Sequence, residues 1–386
     1  MEFLSTRMGG SWRRLDPADA SESPELKQQV QEARETLGGF LVDTLSADNL
    51  VVLTGLGTSM CVKDKSGKSV APSLVDLWND AQSHTPDFKK ILQLVKFDIE
   101  RFGPNLESLL SRCHLAQEMS PVPRLEVFIR DTERLVIERC GFVDESVSLS
   151  THEAFIRVLA RRSPRKLRLK LFTLNHDLCF EAAASRTRFV AIDGFSHTQP
   201  QQFDSDYFSY DIVRRDDERP APDYISNVFH LYKLHGSVDW GRVGSQVIRE
   251  AKPDNPVIIY PRSTKFEASY SPPFIEMIAR FQAALRHPNT GLLIIGFGFR
   301  DEHITQPFLS AIRSNVGLRA VVVSKEVDDA PGTPIGSLVR LINDGDRRLA
   351  LVKGLFEDLV PMIPDLSGPT ESELHAERIR VRGSAL

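Results

Sequence analysis

The clearest hydrophobic signal in the chain is the run 49–54, Asn-Leu-Val-Val-Leu-Thr, which is too short for a helix and is closed by glycine. Such a run predicts a buried strand. It ends in Gly55-Leu56-Gly57-Thr58-Ser59. Ahead of it, Pro24 opens a helix-like stretch to about Ala47; proline in a first turn forfeits no helical hydrogen bond. Residues 1–23 are rich in Ser, Asp and Arg, show little periodicity, and read as a flexible N-terminal arm. Over 74–160 apolar residues recur at helical spacing, through Leu74, Leu77 and Trp78, then Ile91 and Leu92, Leu106 to Leu110, and Leu125 to Ile129. This block predicts a helical insertion or subdomain.

Beyond it a β/α alternation takes over. Strands are predicted at 167–173, 189–192, 227–234, 256–260, 292–295, 318–324 and 348–352. Helices are predicted at 177–184, 273–286, 301–312, 334–342 and 355–362. That alternation implies a parallel sheet covered on both faces. Residues 365–386 read as a polar C-terminal tail, and no repeat of 20–50 residues is visible.

Bulk properties narrow the classes. The 386 residues are enough for one large α/β domain with an insertion, and 41% hydrophobic with 26% charged residues is ordinary for a soluble globular chain. The net charge of -4 gives no overall basic excess of the kind nucleic-acid binders carry. The most basic segment, Arg-Arg-Ser-Pro-Arg-Lys-Leu-Arg-Leu-Lys at 161–170, reads either as a solvated approach to a strand or as a phosphate or partner contact. Cys61, Cys113, Cys140 and Cys179 form no Cys-x-x-Cys pair, so no local zinc pattern is present. With no signal-like or membrane-length apolar run, the expectation is a cytoplasmic protein with reduced thiols.

Four short segments fall at predicted strand ends, where open parallel sheets bind ligands. Gly55-Leu56-Gly57-Thr58-Ser59 is either a tight turn or a loop whose free N–H groups hold a phosphate. It lacks the third glycine of the dinucleotide fingerprint, because Met60 follows, and no Gly-Lys-Ser/Thr is present. In Thr173-Leu174-Asn175-His176-Asp177, Asn175 either turns the chain or meets a ligand, and Asp177 either caps a helix or orients its neighbours. In Lys233-Leu234-His235-Gly236-Ser237, His235 is a candidate proton-exchanging group; Trp240, just beyond, is core or the wall of an aromatic-base pocket. In Gly296-Phe297-Gly298-Phe299-Arg300-Asp301-Glu302-His303, Asp301 is placed as an N-cap, and Glu302 and His303 read as helix-surface residues rather than a metal pair.

Taken in order, these four segments resemble the sirtuin (SIR2) superfamily, most closely the SIR2-like domains of prokaryotic antiphage defence. The resemblance spans about 49–325 and extends loosely to 362. Asn105-Leu106-Glu107-Ser108-Leu109-Leu110 is similar to a run often seen in that branch. The resemblance implies a Rossmann-like α/β parallel sheet of the sirtuin type at 24–364, with the insertion at 74–160 and no zinc module. It implies that Gly55, Gly57, Thr58 and Ser59 line the phosphates of NAD. It further implies that Asn175 is catalytic beside the nicotinamide ribose with Asp177 as companion, that His235 is the catalytic histidine, and that Gly296, Gly298 and Asp301 lie near the adenosine half.

The departures matter. Zinc-binding Cys-x-x-Cys pairs, the Gly-Ala-Gly turn and the Pro-Asp-Phe-Arg-like segment of deacylase sirtuins are absent here. The implied activity is therefore hydrolysis of NAD to nicotinamide and ADP-ribose, with no metal required. The alternatives are a deacylase or ADP-ribosyltransferase, a nucleotide sensor without turnover, and DNA binding through 161–170. The implied partners are further copies of the chain and a HerA-like hexameric ATPase.

Overall fold

The computed structural model describes residues 1–16, 22–163, 165–216, 219–254, 256–259 and 272–366. The polar tail at 365–386 lies almost wholly outside the described residues. Strands are β1 Glu2–Ser5, β2 Arg13–Arg14, β3 Asn49–Thr54, β4 Lys170–Thr173, β5 Val190–Ile192, β6 Val213–Asp216 and β7 Arg219–Tyr224. They continue as β8 Val228–Lys233, β9 Gly236–Val243, β10 Gln246–Arg249, β11 Pro256–Ile258, β12 Thr290–Ile295, β13 Leu318–Ser324 and β14 Leu349–Lys353. Helices are α1 Pro24–Leu45, α2 Leu74–His84, α3 Phe88–Leu94, α4 Ile99–Phe102, α5 Leu106–Met119, α6 Pro123–Cys140, α7 Ser150–Leu159 and α8 Cys179–Thr187. After them come α9 Phe274–Arg286, α10 Glu302–Ser314, α11 Pro334–Asn343 and α12 Phe356–Leu359.

The central sheet runs β2-β1-β14-β13-β12-β3-β4-β8-β5, and every pair from β14 to β5 is parallel. Its strands read as continuous apolar runs because both faces are covered. Val51 and Leu53 point into one core with Phe172, Ile294, Val322, Phe281 and Phe308. Leu50 and Val52 point into the other with Leu171, Leu293, Val321, Phe40, Phe155 and Phe180. The expected mixed α/β architecture with a mostly parallel sheet is therefore present.

The helical block has a core of its own. Leu77, Trp78, Phe88, Leu106, Leu109 and Phe128 pack together, separately from the two sheet cores. Asn105 accepts a hydrogen bond from Ser108 N at 2.9 Å and caps α5, so the Asn105–Leu110 run serves as helix cap and core. α7 departs from this block: Phe155, Ile156 and Leu159 join the sheet core.

Three sequence expectations are corrected. Residues 2–14 are not a flexible arm. β1 pairs antiparallel with β14, Phe3 opposite Val352, and Phe3, Leu4 and Leu15 are buried. β1 covers a sheet edge whose backbone groups would otherwise be unpaired, and a four-residue strand is too short to show a periodicity. The basic run is not a solvated approach either. Arg161, Arg162 and Arg168 are buried. Arg162 donates to Leu45 O and Leu167 O, Arg168 forks onto Asp211, and Lys170 donates to Asn49 Oδ1. Those charges close the C-terminal end of α1 and the base of β4. Finally, 256–258 belongs to a small antiparallel sheet, β10-β9-β11, rather than to the β/α alternation. That sheet and the β6-β7 pair are antiparallel and stand apart from the central sheet.

His152 gives a test of this packing. It lies between Phe180 and Phe356, with ring centroids 5.0 and 5.2 Å away, and neither ring nitrogen has a hydrogen-bond partner. Burial pushes its pKa down from 6.5 to about 4. The folded chain keeps the ring neutral while the unfolded chain takes a proton below 6.5, so stability is lost as pH falls from there toward 4. The loss reaches about 3 kcal/mol. His152→Phe should flatten this part of the stability profile, leaving the similar contribution of His230, whose pKa burial also lowers to about 4. Denaturant midpoints at several pH values between these limits check it; an unchanged slope would contradict the assignment.

Candidate functional site

The site begins with strand order. From β3 the chain fills one side of the sheet with β4, then β5 at the edge and β8 between the two, then returns to build outward on the other through β12, β13 and β14. The crevice beyond the C-terminal ends of β3 and β12 is therefore a topological switch point, where open α/β sheets bind ligands.

The two glycine turns meet there. Gly55 N donates to Ile295 O and Gly57 N to Gly296 O, both at 3.1 Å. A Cβ on Gly57 would lie 2.5 Å from Gly296 Cα, and one on Gly55 would lie 2.7 Å from Gly296 O. Gly296 also has φ +63°, the left-handed region. These three glycines are required by backbone meeting backbone. The expectation of free N–H groups is corrected accordingly. Thr58 N donates to Gly55 O and Ser59 N to Leu56 O, so the first turn closes on itself. Gly298 differs: a Cβ there would meet nothing within 4 Å.

Asn175 and Asp177 lock onto this turn from β4. Asn175 is buried, and its Nδ2 approaches Gly55 O at 3.0 Å, Thr58 Oγ1 at 3.1 Å and Ser59 Oγ at 2.7 Å. The carbonyl of Gly55 only accepts, which fixes the amide with nitrogen inward and Oδ1 turned away. Asp177 Oδ2 accepts from Ser59 Oγ at 2.5 Å, and its Oδ1 accepts from Cys179 N at 3.0 Å, at the start of α8. Asp177 thus joins the first N–H of α8 to the glycine turn, while the N-cap position itself is taken by Leu178.

Lys233, which the sequence offered without a role, fastens the third segment to the second. It is buried and donates to the backbone oxygens of His176 and Asp177 while pairing with Glu181 Oε1 at 3.0 Å. Burial works against its charge, but Glu181, Asp177 and Asp239 outweigh it and hold its pKa above the ordinary lysine value. A run of apolar residues containing one lysine gave no hint of this, because the partners come from other segments.

His235 sits at the junction of β8 and β9. Gly236 has φ +79°, and a Cβ on it would lie 2.1 Å from Val257 O, so the sharp exit requires glycine. His235 is buried, with Nε2 3.0 Å from His303 Nε2, ring centroids 5.2 Å apart and planes 28° apart. The His176 ring lies 6.4 Å from it. His303 is thus not a surface residue, although Glu302 is exposed. Phe299 adopts φ +57° and packs against Phe297 and Phe308, which rolls the first turn of α10 inward. Asp301 takes the N-cap position of α10 but makes no side-chain cap bond. Its carboxylate instead gathers with His235 and His303, one ligand atom of each lying within 4.8 Å of the others. Trp240 is core: it is 1% exposed and packs on Phe195 and Phe203. Burial pushes the Cys61, Cys113 and Cys140 thiols up to about 12, which disfavours a thiolate nucleophile.

The sheet and its switch-point crevice define a Rossmann-like α/β protein. Residues 169–331, less than half of the chain, match the family model of the SIR2-like domain. The matched range holds Asn175, Asp177, His235, Gly296, Gly298 and Asp301; the first glycine turn and the helical block fall before it. No curated protein matches the chain. No helix among the described residues is long and apolar enough to cross a membrane.

The Lys233 anchor is testable by denaturation. Lys233→Met removes the partner of the part-buried Glu181 carboxylate and the donor to two backbone oxygens, and should cost about 2–3 kcal/mol. Adding Glu181→Leu should recover most of it. Equal stability of the single variant and the parent would show that the pair does not hold the loop.

Proposed function

We propose that the chain hydrolyses the nicotinamide–ribose bond of NAD. The observation that carries this reading is the linkage of four strand-end segments into one constellation: Gly57 on Gly296, Asn175 on Thr58 and Ser59, Lys233 on Asp177, and His235 on His303. A pure turn function for each segment would not require a polar side chain from each to converge. The residues fit the substrate. The Asn175 amide nitrogen is occupied by the turn, which leaves Oδ1 as an oriented acceptor for a ribose hydroxyl or a water. Gly298, bare where no packing demands it, lets a ligand approach the backbone. Gly55, Gly57, Thr58 and Ser59 shape the wall beside the phosphates, Asp177 holds Ser59, and Asp301 stands beside His235 and His303.

The chemistry is mainly positioning and electrostatics. The nicotinamide ring is positively charged and leaves with the electron pair of the bond to the ribose carbon. Water attacks that carbon, and its proton passes to His235 or to solvent. His303, within hydrogen-bond distance of His235, gives that proton a second resting place. The products are nicotinamide and ADP-ribose. A hydrolase that drains NAD needs restraint, and the proposal therefore includes assembly with further copies and with a HerA-like ATPase, in cytoplasmic antiphage defence. Against direct DNA binding, the side chains of Arg162, Arg168 and Lys170 are already engaged within the fold.

Purified chain, with and without the ATPase, is incubated with NAD and nicotinamide release is measured. Asn175→Ala and His235→Ala should each lower release by about 100-fold or more, the range for losing a positioned acid–base group. Near-UV circular dichroism checks that both variants stay folded. Undiminished release by both folded variants would refute the site, and O-acetyl-ADP-ribose or a labelled protein as product would favour the transferase alternative.

A further inference from the structure

We infer that His235, His303 and Asp301 form a binding site for one divalent transition-metal ion of the Zn²⁺ type, and that occupancy silences His235. Two imidazole nitrogens facing each other at 3.0 Å are an unusual arrangement in a buried place. Without a cation they can share only one proton, one ring donating and the other accepting. With a cation both lone pairs are used at once. Tetrahedral Zn–N bonds place two nitrogens about 3.3 Å apart. The observed spacing therefore needs only a few tenths of an ångström of opening to admit an ion.

The third donor is an acid at the right place. Asp301 stands at the N-cap of α10 yet makes no side-chain cap bond, and one of its carboxylate oxygens lies within 4.8 Å of one ring nitrogen of each histidine. Two imidazoles and one carboxylate suit Zn²⁺, Co²⁺, Ni²⁺ or Fe²⁺, whereas Mg²⁺ and Ca²⁺ prefer all-oxygen sites. The donors stand on rigid supports. His235 is fixed by Gly236 and by Ile259 N donating to its carbonyl at 2.8 Å. The α10 donors are fixed by the Phe297–Phe299 turn and by Thr305 Oγ1 on Phe299 O at 3.2 Å. Three protein ligands leave a fourth position for water, the pattern of an accessible zinc site. The ion and the proton compete for the same His235 nitrogen. The binding does not depend on the hydrolase proposal, while the inhibitory consequence rests on it.

The test uses the full chain, stripped with a chelator and titrated with Co²⁺ as a spectroscopic substitute and with Zn²⁺ by calorimetry. One-to-one binding with visible ligand-field bands is expected. His303→Ala, Asp301→Asn and His235→Ala, each checked for fold by circular dichroism, should lose those bands. Absence of one-to-one binding by the parent chain would overturn the site. Retention of the bands in folded His303→Ala and Asp301→Asn would place the ion elsewhere, the cysteines being the competing ligands, and would overturn it too. In the nicotinamide-release assay Zn²⁺ should abolish turnover and chelator should restore it. Turnover that persists at full Zn²⁺ occupancy would overturn the silencing, whereas a chain that binds Co²⁺ at these residues but never releases nicotinamide would refute the hydrolase proposal alone.

Discussion

The C-terminal edge of the sheet depends on one contact, the backbone of Gly57 against the backbone of Gly296. β3 and β12 are neighbours in the sheet but far apart in sequence, and their turns must leave in the same direction at ordinary strand spacing. No side chain fits between them. The two turns instead hydrogen-bond to each other, and the first then closes on its own carbonyls. Its hydroxyls, Thr58 and Ser59, are thereby presented toward β4, where Asn175 and Asp177 meet them.

From that contact the rest of the site follows outward. Asn175 uses its nitrogen on the β3 turn, so its oxygen acquires a fixed direction. Asp177 ties the same turn to the first N–H of α8. Lys233 then spans from β8 to the loop after β4, and a buried ammonium is tolerable only because Glu181 and two carbonyl oxygens surround it. The result is a set of polar side chains held by partners other than a ligand. Such a site is ordered before anything binds, which is the condition for catalysis by positioning. On the other flank, the left-handed Phe299 carries strain of order 1 kcal/mol and immediately precedes the turn that holds Asp301 and His303 beside His235.

Much of the architecture was legible in local pattern. β3 and β13 fall where fully apolar runs predict them, and the helices at 274–286 and 334–343 follow the amphipathic repeat. The four polar-glycine segments were legible because strand ends in parallel sheets are where such residues collect. Less legible were elements whose cause is a distant partner. β1 exists because β14 needs an edge covered, and the β6-β7 hairpin carries charged residues with no alternation to reveal it. The basic run misled for the same reason: its charges are explained by Asp211, Asn49 and the carbonyls ending α1, none of them nearby in sequence.

The sequence by itself determined that this chain builds a parallel α/β sheet, and it marked Asn175, Asp177, His235 and the glycine turns as the unusual residues at its edge. It could do so because hydrophobic period and turn chemistry are local properties. Only the tertiary structure decided what those residues touch. It packed the two glycine turns backbone to backbone, gave Lys233 its role, moved Trp240 into the core, and brought His303 and Asp301 to His235. Those outcomes are set by strand order and by the direction in which each turn leaves its strand, which no single segment encodes.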